Sequence, residues 1–195
     1  MTKSIDFYFD IISPYAYLAY KQIISLNKER KIQFNYKPIL LGGLHKLAEI
    51  TAPAFNEFKL KNMKNDCNLV ALKKNIEFLW NDKFPINSIK IMRGYLSIDE
   101  EIKEIYLETF FNAYWKDNID FNNTESFKKL LKTINLDSDK FFKDIEKNEI
   151  KEKLKEITDL AFKKEVFGAP TFIVNGKLFW GQDRLEYAIE ECETG

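Results

Sequence analysis

Near its C-terminal end the chain runs Val166-Phe167-Gly168-Ala169-Pro170-Thr171-Phe172-Ile173-Val174-Asn175-Gly176-Lys177-Leu178-Phe179-Trp180-Gly181-Gln182-Asp183-Arg184, and no other stretch limits the fold as strongly. Thr171 to Val174 is β-branched and aromatic, the composition of a strand. Asn175-Gly176 is the strongest two-residue hairpin signal, so Lys177 to Trp180 reads as the return strand. Gly181 breaks that strand, and Asp183 stands where a helix begins. Proline cannot donate a ladder hydrogen bond, so Pro170 at a strand entrance needs either a sheet edge or a special peptide geometry. Two readings follow. A cis Ala169-Pro170 bond leaves a backbone edge open to a ligand; a plain strand-entry turn, the commoner local solution, does not.

The opening of the chain supplies the partner for that hairpin. Ile5 to Asp10 alternates as a strand. Ser13-Pro14 is a helix start, with serine as N-cap and proline at the first helical position. Tyr15, Leu18, Ala19, Ile23 and Leu26 then recur at helical spacing, and Lys28-Glu29-Arg30-Lys31 closes the helix. Ile32 to Leu40 alternates again. A β-α-β unit with so short a crossover joins parallel strands.

Between the two ends, Gly42-Gly43 breaks the pattern and the chain then reads as helical to about Lys164. The clearest runs are Leu69–Trp80, Asp99–Trp115, Thr124–Asn135, Ser138–Lys147 and Ile150–Phe162. Thr124-Glu125-Ser126 and Asp137-Ser138-Asp139 have N-cap chemistry, and Phe84-Pro85-Ile86-Asn87-Ser88 is an irregular break. The dense Lys and Glu are solvated helix faces with i,i+4 pairs. A last helix spans Gln182 to Cys192. Neither end can bury a two-faced sheet alone. Together they make an α/β fold: a thioredoxin-like four-stranded sheet with a large all-helical insertion. The expected division is 1–41 with 165–195 for the sheet unit and 42–164 for the insertion.

Composition narrows the function. With 195 residues the chain holds one large domain or a small one with an insertion, and 17 Phe make its core bulky. Lys+Arg and Asp+Glu are both 30, which argues against binding driven by phosphate neutralisation. No apolar run approaches the roughly 20 residues that span a bilayer. Met1 to Asp6 lacks a signal-peptide pattern, so the expected compartment is the cytoplasm. Cys67 and Cys192 belong to no CxxC pair, and His45 is the single histidine; neither a disulfide framework nor a metal site is expected. His45 reads as a surface-loop histidine, with a catalytic base as the alternative.

Ile5-Asp6-Phe7-Tyr8-Phe9-Asp10-Ile11-Ile12-Ser13-Pro14-Tyr15-Ala16-Tyr17-Leu18-Ala19 resembles the opening of the 2-hydroxychromene-2-carboxylate isomerases and kappa-class glutathione transferases, which are built like the DsbA-type oxidoreductases. Val166 to Phe172, Leu178 to Leu185, Phe84 to Ser88 and Phe111-Asn112-Ala113-Tyr114-Trp115 resemble the same family, in order along nearly the whole chain. The resemblance implies glutathione as cofactor, a helical domain closing over the sheet unit, a homodimer, and a small aromatic or conjugated substrate. It places Ser13 where redox relatives keep a reactive cysteine. Ser13-Pro14-Tyr15-Ala16 has none, and dithiol exchange needs two thiols.

Ser13, Pro14 and Tyr15 open a helix whose free N–H groups and dipole favour an anion. A serine hydroxyl there would stabilise a borrowed thiolate, and it also makes a good N-cap. By resemblance, Ala169 and Pro170 present the edge that pairs with the cysteinyl unit. Gln182 and Asp183 receive the γ-glutamyl end, although Asp183 also suits a helix N-cap. Lys46, after Gly42-Gly43, is the candidate for a carboxylate of substrate or glutathione, and Asn87 for a polar substrate contact. One departure stands out: relatives carry an asparagine-containing run after the Gly-Gly turn, and here Glu49-Ile50-Thr51-Ala52-Pro53-Ala54 offers only Thr51 in its place. The expected activity is a glutathione-dependent cis-trans isomerase. A glutathione transferase or peroxidase, and a glutathione-binding protein without turnover, are the alternatives, with a disulfide oxidoreductase last.

Overall fold

The computed structural model describes residues 4–27 and 32–195; Lys28 to Lys31, read above as closing the first helix, lie outside them. Strand β1 (Ser4–Phe9) leads into helix α1 (Pro14–Asn27) and strand β2 (Gln33–Pro38). Six further helices precede the second half of the sheet's helical cover: α2 (Leu41–Leu47), α3 (Glu57–Lys73), α4 (Ile89–Ser97), α5 (Glu100–Trp115), α6 (Thr124–Thr133) and α7 (Ser138–Asp144). Helix α8 (Asn148–Lys163), strands β3 (Thr171–Val174) and β4 (Lys177–Trp180) and helix α9 (Leu185–Thr194) complete the chain.

The sheet order is β2-β1-β3-β4. β1 pairs parallel with β2 and antiparallel with β3, so the two ends of the chain meet in the middle of one sheet. One face of β1 is wholly apolar, and the other carries Ser4 and Asp6 toward its start and a buried Tyr8 toward its end. Ile5, Phe7 and Phe9 enter the main core, while Tyr8 joins a smaller one with Ile39, Leu44, Ala161 and Val166. Phe7 stacks on Phe172, its register partner, with ring centroids 5.3 Å apart. The main core runs without a break into the helical block. Phe9 meets Tyr95 edge-on at 5.4 Å, Tyr20 stacks on Phe111 at 5.1 Å, and the Trp115 indole donates to the Ile11 carbonyl at 2.8 Å. Asn175 and Gly176 take φ of 50° and 77°, the pair of positive values a type I′ turn requires.

The helical block departs from the sequence reading in four places. Gly42-Gly43 does not interrupt the chain but lies inside α2, a one-to-two-turn helix held at its start by Asp10 (below). α3 begins twelve residues before the expected Leu69 because Asn56 caps it, its side-chain oxygen accepting from the Lys59 N–H at 3.0 Å. It ends at Lys73, where Asn75 turns left-handed at φ 53° and the Ile76 N–H closes on the Ala71 carbonyl. Ile76 to Trp80 is therefore irregular, not helical. α6 is capped by Asn123, which accepts from the Glu125 and Ser126 N–H groups, one residue before the expected Thr124. Asp137 caps α7 as expected, accepting from Lys140 N–H at 2.7 Å. The last helix starts at Leu185 after a 3₁₀ turn over Gln182–Arg184, and no side chain caps it, so Asp183 is not its N-cap.

Candidate functional site

Asp10 organises one end of the sheet. Its side chain is fully buried at the C-terminal end of β1. One oxygen accepts from the Ile12 N–H at 3.1 Å; the other accepts from the Leu41 N–H at 2.8 Å and the Ser88 hydroxyl at 2.9 Å. The carboxyl thus ties the β1–α1 loop to the starts of α2 and α4. Burial pushes its pKa up to about 6, and the three donors resist that shift by favouring the charged form. Ser13 follows three residues on, its N–H donating to the Asp10 carbonyl at 3.0 Å.

Ser13 is buried at the N-terminus of α1 and does two things at once. Its oxygen accepts from the Ala16 N–H at 3.1 Å, the N-cap bond, and its hydroxyl donates to the Ala169 carbonyl at 2.8 Å. The Ala169-Pro170 bond is cis. The Pro170 carbonyl takes the Gly181 N–H at 3.0 Å, whereas the Ala169 N–H has no backbone partner among the described residues. Ala169 therefore offers a donor beside a carbonyl that the serine already occupies. Gly168 is required here by a close approach: a Cβ would come within 2.6 Å of the Trp180 indole nitrogen. Phe167 packs on the same indole at 4.9 Å.

These groups open onto a cavity of about 980 Å³, at the top of the usual range for small-molecule sites. Ser13, Pro14, Tyr15 and Ala169 line it, as do Asn87 and Thr51. Asn87 is partly committed, its side-chain oxygen accepting from the Ile89 N–H at 3.0 Å. Lys46 is exposed and does not line the cavity, and neither do Pro170, Gln182 and Asp183. The Gln182 side-chain oxygen accepts from Gln22 on α1 at 3.1 Å. Asp183 is exposed and paired with Arg184 at 3.3 Å, and its carboxylate folds back over Gly181, which takes φ 111°.

Sequence reading missed four features of this site. His45 is not in a loop: it lies on α2, half-buried against the cavity, and burial lowers its pKa. Lys59 supplies the cavity's lysine, and among the described lining residues there is no Asp or Glu. Phe55 and Phe58 form its outer wall. The Phe84-Pro85 bond, in the break expected to be irregular, is also cis, and both residues line the cavity. Tyr15 is held protonated by burial and by nearby Asp66 and Cys67. Burial likewise suppresses ionisation of the Cys67 thiol. Among the described residues no helix is long and apolar enough to cross a membrane.

Residues 4–191 match the family described as the DSBA-like thioredoxin domain. The chain is 26% identical over 189 residues to a 2-hydroxychromene-2-carboxylate isomerase of Sphingobium xenophagum, covering 96% of each chain. It is 22% identical over 205 residues to the glutathione S-transferase kappa 1 of Homo sapiens, covering 95% of this chain and 89% of the relative. A solved structure of a 2-hydroxychromene-2-carboxylate isomerase superposes with a TM-score of 0.86 at 25% identity, over 95% of this chain and 92% of that one.

Proposed function

The chain belongs to the DSBA-like thioredoxin-domain family, and on that premise we propose that it is a glutathione-dependent cis-trans isomerase acting on a small conjugated or aromatic acid, working as a cytoplasmic homodimer. The observation that carries this reading is the Ser13 hydroxyl. It sits at a helix N-terminus, 2.8 Å from the carbonyl of a cis-proline edge, with no thiol of the chain in its motif.

The residues suit a tripeptide thiol. An extended peptide laid along Ala169 would receive its N–H and would donate to its carbonyl, in the manner of an added strand. That second bond replaces the one Ser13 makes now. The hydroxyl proton is then released to a sulfur beside it, while the oxygen keeps its bond from Ala16. Ser13 thereby lowers the pKa of the bound thiol together with the helix N-terminus. Bound glutathione supplies a thiolate that adds reversibly to a conjugated carbon, so that a double bond becomes rotatable before the thiolate leaves. Gln182 and Asp183 receive the γ-glutamyl end. Lys46, at α2, meets a carboxylate outside the cavity. Lys59 and His45, with no lining carboxylate opposing them, orient an anionic substrate within it, and Asn87 adds a polar contact. In this scheme the helical unit 42–164 closes over the sheet unit formed by 1–41 and 165–195.

Two measurements test the reading. Calorimetric titration with glutathione must give saturable binding, and turnover of 2-hydroxychromene-2-carboxylate must leave glutathione unconsumed. The kappa transferase relative motivates a second reading with the same thiolate, in which glutathione is consumed by conjugation or peroxide reduction. Thr51 in place of the expected asparagine motivates a third, a glutathione-binding protein without turnover, which saturable heat with no product from a panel of conjugated acids would support. Absence of binding heat overturns all three.

A further inference from the structure

Helix α3 has two apolar faces. Met63, Cys67 and Ala71 are buried against the body of the protein. On the opposite side, Phe58, Asn62, Asn65, Leu69 and Leu72 fall within about 80° of one another at ~100° per residue. All five face solvent, with Phe58 82% and Leu72 79% exposed, and Phe55, just before the helix, is 75% exposed. Their spacing alternates three and four, the pattern of a helix-pairing seam, and Lys59, Lys61, Lys64 and Lys73 with Glu57, Asp66 and Asn68 flank it.

The seam is also symmetric about its own centre. Phe58 and Leu69, and Asn62 and Asn65, share one midpoint, between residues 63 and 64, and Leu72 continues the seam one turn beyond. An antiparallel copy related by a two-fold axis at that midpoint sets aromatic against aliphatic at both ends and amide against amide in the middle. This is the self-complementarity an isologous interface needs. A polar pair at the centre of an apolar seam fixes register and direction.

We infer that this face of α3 is where two copies of the chain join, antiparallel about the 63/64 midpoint, and that each copy completes the other's cavity mouth. It rests on the homodimer within the proposed function and deepens it. Phe58 belongs both to the seam and to the outer wall of the cavity, and Phe55, just before the helix, flanks it in that wall. In the pair Phe58 is backed by the partner's Leu69, so the wall of each site is finished by the second chain. Scattered exposed apolar residues elsewhere, such as Leu160 and Tyr187, form no such series.

Single cysteines read the register directly, because both native thiols are buried. Two Asn65 positions lie about 4.5 Å apart along the axis, and two Leu69 positions about 16 Å apart, by the rise of the helix. Under mild oxidation without glutathione, Asn65→Cys is expected to give a disulfide-linked dimer and Leu69→Cys to stay unlinked. Sedimentation of the wild type is expected to show a dimer that Leu69→Lys with Leu72→Lys weakens about 100-fold; circular dichroism checks that the double variant is folded. A monomeric wild type, a dimer indifferent to the lysines, no linkage at Asn65→Cys, or equal linkage at both positions overturns the inference. Glutathione calorimetry on the same proteins is read separately: binding without the predicted linkage sinks the interface alone, and linkage without binding sinks the thiol chemistry alone.

Discussion

The cavity has two unlike walls. On the sheet side, Ser13 and Ala169 are buried, with Asp10 behind them, and the side chains are engaged: one bond in and one bond out on Ser13, three donors on Asp10. On the α3 side, Phe55, Phe58, Lys59 and Asn62 are exposed, and their side chains make none of these long-range bonds. The first wall has little freedom and therefore suits chemistry, which needs geometry held to a fraction of an ångström. The second has surface to spare and suits recognition, whether of substrate or of a second subunit. A change on the sheet side should therefore alter rate or stability, and a change on the α3 side should alter affinity.

The largest effect is expected at Ser13. Ser13→Ala should lower turnover about 100- to 1,000-fold at saturating glutathione, the loss typical for removing one donor to a developing charge. Losing the N-cap should cost about 1 kcal/mol of stability besides. Steady-state kinetics alongside thermal unfolding separates the two; unchanged turnover would remove the sheet wall from the chemistry.

Asp10 comes next, through pH. Its carboxyl rises from an ordinary 3.8 to about 6 on folding. A raised carboxyl pKa stabilises the fold fully only below about pH 4, and that contribution is lost as pH rises through 6, for a total on the order of 3 kcal/mol. Exposed carboxylates held low by lysines, such as Glu146 beside Lys151, act in the opposite direction. The quantity to measure is therefore the urea-unfolding difference between wild type and Asp10→Asn at pH 4.5 and pH 7.5. That difference should move against the wild type as pH rises; a flat difference would mean that the three donors outweigh desolvation.

Smaller effects should fall on affinity alone. Asp183→Asn is expected to weaken glutathione binding about tenfold, roughly 1.4 kcal/mol, with turnover at saturation unchanged, as calorimetry and kinetics together can report. Lys59→Met should raise the KM for an anionic substrate a few-fold and leave kcat alone, the signature of lost uniform binding. A kcat loss at Lys59 as large as that at Ser13 would erase the distinction between the walls.

Much of the sheet wall was legible because its signals are local. Ser13-Pro14 announces a capped helix, Asn175-Gly176 a hairpin, and an X-Pro bond at a strand entrance the option of a cis edge. Asp10 was not legible: a residue read as the end of a strand acquires its role only from Leu41 and Ser88, 31 and 78 residues away. His45 was misplaced for a related reason. Gly42-Gly43 reads as a breaker, because glycine weakens an isolated helix by about 1 kcal/mol per residue. A buried carboxylate receiving the first free N–H of α2 outweighs that cost. The extent of α3 was lost because its two apolar faces cancel the one-sided periodicity that marks a helix in sequence.

Taken alone, the order of residues settled the α/β class, the meeting of both chain ends in one sheet, and the absence of a cysteine at the head of α1. Each depends on backbone preferences or residue identity within a few positions. Tertiary structure decided which groups face one cavity: that the Ser13 proton rests on Ala169, 156 residues away, that Lys59 lines the space and Lys46 does not, and that Asp10 is buried deeply enough to hold its proton toward neutral pH. Desolvation and long-range hydrogen bonds have no period along a chain; they exist only once distant segments have excluded water from the space between them.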